Sequence, residues 1–582
     1  MRELAFREER NLARVLGIHV GHDSNAALVV DGRIVACVLE ERFVRIKHYA
    51  GLPVQAIEYC LKEAKLTIDD IDEVAFTSKY TDGGSLAKIM NLEPPAPGVG
   101  REAMVGRVLD FFRDVYRTMR PHGPEVPPIY YPTFKSRRPL RVRNVEHHLA
   151  HAASAFYTSG RRAPTLIFTA DGIGDDVSLT VWRAEPPAKF EVLYREGASG
   201  SLGWFYGLVT EGLGWWVGDG EGKTMGLAPY GSTKGVEGVL DEFCPRYEGG
   251  RLVKPHDFGK LAFWSESATT HWHFEEAERI VALIEKHGRE AIAAEAQRVL
   301  EREMTGIVRH FLTAERTRVA CFAGGIMLNV KMNQRLWESG MFDEQYIFPE
   351  SGDGGLAVGA ALLGNAELGG DLGEPLRQIY WGPAYDDALI RDLLEERHLA
   401  YTTTDDPARA AAERLAAGKI VGWFQGRMET GPRALGGRSI LMDPSKAENK
   451  DIINARVKFR EAFRPFCPSM TPAAARELLD PRARPERYMI TSFEVRPEAR
   501  SRIPAVVHAD GTARPQIVEE AINPLFFRLL REFGARTGTE CLLNTSFNIK
   551  GEPIVCHPRE AIRCFFDTGL DSLVMGSFVL DK

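Results

Sequence analysis

Two segments of the sequence, residues 15–38 and 165–182, repeat the same plan of an apolar strand, a small polar turn and a second strand. The first segment continues through Asp31-Gly32, a dipeptide that strongly favours a two-residue β-hairpin. The second turns at Asp171-Gly172. The repetition favours an internal duplication of β-hairpins, although two matches this short are also compatible with chance.

The length of the chain requires more than one domain. At 582 residues it is too long for a single hydrophobic core. A glycine-rich stretch at 363–374 marks a boundary. We therefore place an N-terminal domain at 1–368 and a C-terminal domain at 369–582, both of the α/β class. A repeated hairpin with Asp or Gly in its first turn is how actin-like and sugar-kinase-like ATPases enclose nucleotide phosphates.

The composition narrows the class of function. A formal net charge of −7 argues against a surface built for nucleic acid or anionic lipid, so small phosphorylated substrates fit better. The N-terminus is charged where a signal peptide is apolar, and no run of about 18 apolar residues occurs. The eight cysteines form no CxxC pair, which is typical of buried thiols in a reducing compartment. We expect a cytoplasmic protein with no membrane and no nucleic-acid partner.

The segment 94–139 is too rich in proline for a regular domain core. It is either a lid or acceptor-binding insertion, or an excursion of the surface, and the sequence does not choose between them.

A short alanine-rich segment carries a candidate metal site. His147 and His151 are four residues apart, hence on one face of the expected helix and able to hold one metal ion. The best candidates for the remaining ligands are Asp171 and Asp353, which follow apolar runs beside glycines. Two His and two Asp suit Fe, Mn or Zn better than Ca or Mg. Two structural histidines are the alternative, and His148 points elsewhere by its spacing.

The turn after the first strand contains His22-Asp23 between glycine and small polar residues. His22 is a candidate general base for a hydroxyl group, because a histidine beside an aspartate can exchange protons near neutral pH. A histidine hydrogen-bonded within a turn is the alternative. Arg45 and Lys47 follow, and either meet phosphates or an acidic acceptor, or belong to a solvated strand edge.

Two glycine-rich segments are candidates for binding a nucleotide. The stretch 218–231 is not a P-loop, yet its glycines and Lys223 offer N–H groups and a positive charge to phosphates. Gly324-Gly325, followed by Asn329, resembles the glycine pair on which actin-like ATPases rest an adenine or ribose. Each signal is weak alone.

Basic residues cluster in the second half of an acidic chain, beside Gly and Pro, where a purely solvated face is hard to justify. Lys458 and Arg460 alternate, so on a strand they would share a face and converge on an anion. Asn544, Ser546 and Asn548 offer neutral hydrogen-bonding groups, also on one strand face. We predict a phosphate or adenylate site made of these residues and further arginines: Arg427, Arg433, Arg438 and Arg464.

Taken together, these motifs resemble the NodU/CmcH family of O-carbamoyltransferases, which includes tobramycin and cephalosporin carbamoyltransferases. The resemblance covers nearly the whole chain. Its signatures, in order, are the His22-Asp23 turn, Glu-Glu-Arg-Phe, Glu-His-His-x-Ala-His, Gly-Lys-x-Met-Gly-Leu-Ala-Pro-Tyr-Gly, Gly-Gly-x-Met-Leu-Asn, Gly-Pro-Arg-Ala-Leu-Gly-x-Arg-Ser, Arg-Glu-x-Phe-Arg-Pro-Phe and Asn-Thr-Ser-Phe-Asn-x-x-Gly-Glu-Pro.

The resemblance implies an actin-like (ASKHA) N-terminal domain and a YrdC-like C-terminal domain that forms carbamoyl-adenylate from ATP and carbamoyl phosphate. It implies an iron-type metal, Fe²⁺ or else Zn or Mn, on His147, His151, Asp171 and Asp353. It also implies that Lys458-x-Arg460 and Ser546-x-Asn548 bind the adenylate, with Mg²⁺ accompanying ATP. We count His22, Lys47, Lys458 and Arg460 as the catalytic residues.

The acceptor implied by the resemblance is a hydroxyl of a small natural product or sugar, and a homodimer is compatible with it. One alternative is a carbamoyl-type transferase acting on tRNA. The net negative charge of the chain argues against this alternative. The other is an actin-like nucleotide-binding switch without transferase activity, which leaves the Arg/Lys cluster without a purpose.

Overall fold

The computed structural model describes residues 12–77, 141–258, 261–266 and 268–582. The proline-rich segment 94–139, for which a lid or an acceptor-binding insertion was considered, lies outside the described residues.

The first sheet has five strands in the order β3-β2-β1-β4-β5, accompanied by two helices. Its elements are β1 (Arg14–His19), β2 (Asn25–Val30), β3 (Arg33–Leu39), α1 (Glu41–Val44), α2 (Val54–Glu63), β4 (Glu73–Thr77) and β5 (Arg141–Val145). The turn between β2 and β3 is the expected Asp31-Gly32 hairpin, in which φ is 46° and 77°. Positive φ at both positions is the signature of a type I′ turn, which Asp-Gly favours.

The second sheet also has five strands, in the order β14-β13-β6-β7-β8, with two short hairpins beside it. The elements of this region are α3 (His147–Thr158), β6 (Thr165–Gly174), β7 (Val177–Glu185), β8 (Lys189–Gly197), α4 (Leu202–Gly212), α5 (Glu221–Leu227), β9 (Arg246–Glu248), β10 (Arg251–Lys254), β11 (Leu261–Glu266), β12 (Thr269–Phe274), α6 (Ala277–His287), α7 (Arg289–Ala314), β13 (Val319–Ala323), α8 (Val330–Glu338), β14 (Glu344–Ile347) and α9 (Leu356–Glu367).

The two sheets have the same topology. In each, three consecutive strands run antiparallel, and the first of them pairs in parallel with a fourth strand that pairs in parallel with a fifth. The internal duplication expected from the repeated hairpins is therefore confirmed at the level of strand order.

Helices α3 and α9 fill the layer between the two sheets. The two helices approach each other closely. A Cβ added to Gly359 of α9 would lie only 1.9 Å from the carbonyl oxygen of Ala150 in α3. A Cβ on Gly17 in β1 would similarly lie 2.0 Å from the carbonyl oxygen of Ala357. Glycine is required at both points, and the close packing carries α3 and the start of α9 to one end of both sheets.

The remaining residues form one eight-stranded sheet in the order β15-β24-β23-β16-β17-β22-β18-β21, together with the pair β19-β20. Its elements are α10 (Asp387–Glu396), β15 (Thr402–Thr403), α11 (Pro407–Ala416), β16 (Val421–Phe424), β17 (Arg438–Met442), α12 (Asn449–Ile453), β18 (Cys467–Met470), α13 (Pro472–Leu478), β19 (Phe493–Glu494), β20 (Thr512–Ala513), β21 (Gln516–Ile517), α14 (Pro524–Thr537), β22 (Cys541–Ser546), α15 (Pro558–Asp567), β23 (Ser572–Met575) and β24 (Phe578–Asp581).

The mixed α/β class is confirmed by these sheets. The predicted boundary at 368/369 falls directly after α9, and residues 370–386 form no helix or strand. The division into two domains at that point remains our proposal. None of the helices in the described residues combines the length and hydropathy that a bilayer crossing requires.

The eight-stranded sheet is attached to the first sheet by buried polar contacts. Thr430 donates from Oγ1 to the carbonyl of Cys37 at 2.6 Å, and Arg42 donates from Nη2 to the carbonyl of Gly431 at 2.9 Å. Arg45 donates from Nη1 to the carbonyl of Ile554 at 2.8 Å. These contacts fix the loop 425–437 and the segment at Ile554 of the C-terminal half against β3 and α1 of the N-terminal half.

Candidate functional site

Four predicted metal ligands converge at one end of the two duplicated sheets. The ligand atoms of His147, His151, Asp171 and Asp353 all lie within 4.8 Å of one another. His151 Nε2 lies 3.1 Å from Asp171 Oδ2 and 3.6 Å from Asp353 Oδ1. His147 Nε2 lies 3.5 Å and 3.6 Å from the same two oxygens.

These distances fit a metal ion. Ligand bonds of about 2.0–2.2 Å at a tetrahedral ion separate the ligand atoms by roughly 3.3–3.6 Å, close to what the four side chains show. Nε2 of His147 is buried and has no hydrogen-bond partner among the described residues. A buried nitrogen aimed at two carboxylates without a hydrogen bond is the state of a metal ligand. The residues therefore fit the ion implied by the resemblance, while its identity as iron stays a prediction.

Local structure places each ligand. The two histidines occupy successive turns of α3, whose first N–H groups are capped by Glu146, accepting from Leu149 N at 2.8 Å, and by Asp175, accepting from His147 N at 2.8 Å. Asp171 lies within β6 where the strand pairing shifts register, and Asp353 lies in the turn that opens α9.

Glycines admit these side chains. A Cβ on Gly174 would meet the ring of His147 at 2.2 Å, and one on Gly325 would meet Asp171 Oδ1 at 2.8 Å. The pair Gly324-Gly325, predicted to bind a nucleotide, therefore lies against a metal ligand. Its role toward a nucleotide stays a prediction.

The charges at this cluster call for a cation. Burial alone would lower the pKa of His147, but the Asp353 and Asp171 carboxylates outweigh it and raise that pKa to about 9. Burial would raise the pKa of Asp171, but His147 and His151 beside it lower it well below its usual value. The pKa of Asp353 is lowered as well, so both carboxylates are ionised in a largely buried position, where a protonated His147 or a bound metal ion would supply the positive charge that they need.

Two further histidines lie beside the ligands without joining them. His148 is fully buried and bonded to Thr169 Oγ1 at 2.6 Å and the Val177 carbonyl at 2.8 Å, and burial lowers its pKa to about 3. It is a structural residue, as its spacing indicated. His19 was missed by the sequence reasoning: its Nε2 lies 3.8 Å from Asp353 Oδ2, and burial lowers its pKa to about 4. Its position at the end of β1, facing the cluster, was the available signal.

The candidate base His22 is paired with Asp23. Its Nδ1 lies 2.8 Å from Asp23 Oδ2. Burial alone would lower the pKa of His22, but Asp23 outweighs it and raises the pKa to about 9. The carboxylate thus holds a proton on Nδ1, and Nε2 becomes free to accept a proton from a substrate as the pH rises toward 9. Lys47 forms an ion pair with Asp219, which sequence reasoning had not singled out, and the pair is about two-fifths exposed.

The predicted K-x-R and S-x-N pairs also come together. Lys458 Nζ contacts Ser546 Oγ at 3.3 Å and Asn548 Oδ1 at 2.7 Å, and Ser546 Oγ donates to Asn548 Oδ1 at 2.7 Å. Burial, with Arg460 nearby, holds the pKa of Lys458 well below its usual value. Because Lys458 is buried against neutral oxygens, a bound anion would stabilise its charged form.

The geometry of Lys458 and Arg460 differs from the expected strand. The chain from α12 continues into a π-helical turn, Asn454–Lys458, and Phe459 is left-handed with φ 48°. The expectation that both side chains share one strand face is therefore wrong. Asn548 likewise lies beyond the end of β22.

Arg460 and Arg464 lie near this lysine, and Arg433 and Arg514 lie near those two arginines, whose charge is opposed by Glu461 at 3.7 Å from Arg464. Arg433 makes no hydrogen bond or ion pair with any other residue of the described ranges. Burial, with Arg514 next in effect, lowers its pKa to about 9, and burial with Arg464 lowers that of Arg460 to about 9. Such a cluster is unfavourable until an anion enters, which is how a phosphate site is recognised.

Arg514 was missed by the sequence reasoning. It precedes β21 and donates from Nε and Nη2 to Cys467 Sγ at 3.0 Å and 2.8 Å. Cys467 is the first residue of β18, and β18, β22 and β17 are adjacent antiparallel strands. The start of β18, the end of β22 and the loop before β17 therefore meet at one edge of the sheet, and only this topology brings Arg514 to the cluster.

Four predicted nucleotide contacts are engaged elsewhere. Arg427 donates to the carbonyls of Val35 and Trp381, and Arg438 to those of Gln425, Gly426, Gly437 and Pro383, so both guanidinium groups hold backbone. The amide of Asn544 donates to Ala434 O and Ser469 Oγ. Asn329 caps α8 and exchanges hydrogen bonds with Gln297. We leave these four out of the proposed site.

A cleft lies between the two halves, next to the arginine cluster. Met225, Gly226 and Tyr230 of the Gly-Lys-x-Met-Gly motif line one wall, and Phe463, Phe466 and Arg514 line the other. Lys223 of the same motif faces the ring of Trp215 at 6.0 Å. The motif therefore builds the wall of an interdomain cleft, and the phosphate role of Lys223 stays a prediction.

Glu350 is a buried carboxyl between the two sites. Its Oε2 has no hydrogen-bond partner in the described ranges, and it lies between Gly354, beside the metal ligand Asp353, and Gly431 of the arginine loop. Burial, reinforced by the charge of Asp23, raises its pKa from 4.5 to about 8.

Glu350→Gln is expected to flatten the pH dependence of stability. Because the pKa of Glu350 is raised in the folded state, its contribution to the free energy of unfolding is full below pH 4.5. This contribution is lost as the pH rises toward 8. The wild-type free energy of unfolding should fall by roughly 1 kcal/mol per pH unit over this range from this group. Tm measured at intervals between pH 5 and 8 should therefore drop less in the variant. Equal slopes in the two proteins would contradict the buried neutral carboxyl.

Comparisons with known proteins identify the family of the chain. Residues 14–362 match the model described as carbamoyltransferase N-terminus, and residues 412–582 match the carbamoyltransferase C-terminus. The nodulation protein NolNO of Sinorhizobium fredii is 36% identical over 96% of this chain and 79% of its own length. The nodulation protein U of Rhizobium tropici is 30% identical over 92% of this chain and 91% of its own length.

A solved structure is similar at a lower level. Component A of the (R)-2-hydroxyglutaryl-CoA dehydratase of Acidaminococcus fermentans aligns with 61% of this chain and 99% of its own at 16% identity, with a TM-score of 0.32. That similarity is too low to support any assignment.

Proposed function

This chain belongs to the carbamoyltransferase family and is a transferase enzyme, and from that premise we propose that it forms carbamoyl-adenylate from ATP and carbamoyl phosphate in its C-terminal half and transfers the carbamoyl group to a hydroxyl in its N-terminal half. On this proposal the duplicated sheets are an actin-like unit and the eight-stranded sheet is a YrdC-like unit. The coenzymes are ATP with Mg²⁺ and an iron-type ion.

The observation that carries the adenylation step is Lys458 in contact with Ser546 and Asn548, beside an arginine cluster in which Arg433 has no hydrogen-bond or ion-pair partner among the residues that the structure describes. Water hydrolyses carbamoyl phosphate to carbamate and phosphate; a carbamate oxygen then attacks the α-phosphorus of ATP, and pyrophosphate leaves. Negative charge develops on the phosphoryl oxygens in this step, and preorganised Lys and Arg groups stabilise it.

The transfer step is supported by the cluster of ligands and by His22. An ion held by His147, His151, Asp171 and Asp353 would supply a Lewis acid for a carbonyl or phosphoryl oxygen. His22 takes the acceptor proton at Nε2 while Asp23 stabilises the resulting imidazolium through Nδ1. The acceptor oxygen bonds to the carbamoyl carbon, and AMP leaves with the electron pair of the broken C–O bond.

The cleft between the halves supports a protected passage for the intermediate. Its walls are largely apolar, and it adjoins Arg514 of the adenylation cluster. Carbamoyl-adenylate is destroyed by water, so a closed route favours transfer over hydrolysis. The proposed acceptor is a hydroxylated natural product or sugar; the relatives compared above are nodulation proteins by name.

The test of the adenylation half is ATP–pyrophosphate exchange that depends on carbamoyl phosphate. The proposal expects exchange in the wild-type protein without any acceptor, and a protein that binds ATP but exchanges no pyrophosphate in the presence of carbamoyl phosphate would contradict it. Mass spectrometry with a panel of hydroxylated natural products, read as the mass gain of one carbamoyl group, then identifies the acceptor.

His22→Asn is expected to retain exchange and to lose at least about 10²-fold in transfer rate, because general-base catalysis contributes this much. Asparagine keeps a polar group near Asp23 but accepts no proton. His398→Asn is the control, since His398 is exposed and has a left-handed backbone that asparagine tolerates. Transfer near the wild-type rate in His22→Asn would show that another group is the base.

A further inference from the structure

Beyond the His22–Asp23 pair, a chain of charged side chains runs outward from the metal site. Asp23 uses its second oxygen, Oδ1, to accept from His48 Nδ1 at 2.8 Å. The other nitrogen of His48, Nε2, lies 3.4 Å from Asp219 Oδ1, and Asp219 is paired with Lys47. The two histidine rings are 5.9 Å apart and nearly perpendicular. One carboxylate is thus shared by two imidazoles, and the outer imidazole is held by a second carboxylate.

The chain is assembled at a conformational cost. Asp23 and His48 both have left-handed backbones, with φ 59° and 55°. Non-glycine residues seldom adopt this conformation, which is strained and persists where the surrounding contacts enforce it. Here the His48 N–H donates to Glu41 Oε2 at 2.8 Å, and Ser24 N donates to the Tyr49 carbonyl at 2.9 Å. The strain therefore occurs at the two residues whose side chains meet.

Asp219 comes from the glycine-rich turn of the 218–231 segment, for which only a phosphate role had been considered. The turn is rigid: Gly218 N donates to Glu221 Oε1 at 2.8 Å, and Gly220 N donates to the Trp216 carbonyl at 2.8 Å. Gly218 has φ 91°, and nothing lies within 4 Å of where its Cβ would be, so the backbone conformation and not space requires glycine there. The turn thus presents one carboxylate to His48.

We propose that His48 and Asp219 are positioning residues for the transfer reaction, which act through Asp23 to hold His22 in the Nδ1–H tautomer with Nε2 turned to the acceptor hydroxyl. This inference rests on the proposed function of His22. The physical reason is that a carboxylate accepting from two fixed N–H groups cannot rotate freely, so each N–H oriented at Asp23 fixes the other. Nε2 is then the one nitrogen of His22 left to accept a proton.

A metal ion on His22, Asp23 and His48 is the competing interpretation, because their ligand atoms also lie within 4.8 Å of one another. The two nitrogens, however, each lie 2.8 Å from a different oxygen of Asp23, which is a hydrogen-bond length for an N–H donor. The geometry favours hydrogen bonding over chelation.

The test uses full-length Asp219→Asn and His48→Gln, with Asp241→Asn as the control, since Asp241 is an exposed carboxylate paired with Arg302. Glycerol at high concentration serves as the acceptor, and carbamoyl-glycerol is quantified by mass spectrometry. Both variants should retain pyrophosphate exchange and metal content, and lose about 10- to 100-fold in transfer kcat with little change in KM for glycerol.

The pH profile separates positioning from a merely structural role. The groups that face His48 are Asp23, Asp219, Lys47, His22, Glu41 and Glu221. In His48→Gln the positive charge that opposes protonation of His22 is gone, so the rise of transfer rate with pH should move to higher pH. A structural defect would lower the rate equally at every pH.

Wild-type kcat and an unmoved pH profile in both variants would overturn the proposal, and so would loss of bound metal in His48→Gln. If Asp219→Asn does not fold, as judged by Tm and circular dichroism, His48→Gln decides alone. Failure of the proposed function itself is distinguishable, because it appears as absent pyrophosphate exchange in the wild-type protein.

Discussion

His151→Ala is expected to remove the bound metal ion and to abolish carbamoyl transfer, while carbamoyl-phosphate-dependent pyrophosphate exchange continues near its normal rate. The ring of His151 is completely buried and lies 3.1 Å and 3.6 Å from the two carboxylates, so alanine removes one of four ligands and no solvent-exposed group can replace it. A three-ligand remnant with two aspartates binds first-row metals far more weakly than the full set.

Metal analysis of anaerobically purified protein provides the direct measurement, independent of activity. We expect about one ion per wild-type chain and close to none in the variant, with a transfer rate at least about 10²-fold lower. His287→Ala, at the end of α6, is the matched control and should keep the ion.

Loss of stability has to be separated from loss of the ion. Alanine leaves Asp171 and Asp353 as two buried carboxylates with less neutralising charge, so Tm should fall as well. His151→Gln retains volume and a polar end, and should lose the ion with a smaller change in Tm. An unchanged ion content in both variants, with normal transfer, would show that the four residues are structural.

That the four candidate metal ligands lie together could be predicted from sequence because their geometry is largely local. Spacing of four residues on a helix places His147 and His151 on one face whatever the rest of the chain does. Asp171 and Asp353 each follow an apolar run beside glycine, and strand or loop ends at one edge of a layered fold converge. The duplicated hairpins were predictable for the same reason, since Asp31-Gly32 specifies its turn from two residues.

The second site was predicted in composition but not in conformation. Lys458 and Arg460 alternate as strand residues do, yet the preceding residues continue a helix from α12, and tertiary packing closes it with a π-helical turn and a left-handed Phe459. Periodicity over three residues is too short to distinguish the two conformations. The contacts of Lys458 with Ser546 and Asn548 span about ninety positions of sequence and follow from sheet order alone.

Contacts between residues far apart in the sequence could not be predicted, because no local pattern marks them. Asp219 meets His48 across 171 positions, and Glu350 meets the loop of Gly431 only because the eight-stranded sheet packs on the first sheet. Arg427 and Arg438 illustrate the converse error. Both stand in a motif rich in basic residues, but their guanidinium groups donate to backbone carbonyls of neighbouring segments. The sequence around an arginine therefore does not show whether its guanidinium group binds a phosphate or backbone carbonyl groups.

Lys458→Met is expected to abolish pyrophosphate exchange and leave the transfer half intact. Methionine matches the length of the lysine side chain but has no charge and no donor, so the oxygens of Ser546 and Asn548 lose their cation and the ATP phosphates lose one of the groups that stabilise charge in transfer. A decrease of at least about 10²-fold in exchange is expected, comparable to removing one preorganised donor from an active site.

The decisive measurement is complementation. Chemically prepared carbamoyl-adenylate, added to Lys458→Met, should restore transfer to an acceptor, whereas the same compound should not rescue His151→Ala. Lys446→Met is the control, because Lys446 is exposed just before α12. This variant should exchange pyrophosphate at the normal rate. The fold should tolerate Lys458→Met, since burial already disfavours the charged lysine and Ser546 still donates to Asn548 at 2.7 Å. Exchange at the wild-type rate in this variant would place adenylate formation elsewhere in the chain, and failure of rescue in a folded variant would mean that the two halves share one site.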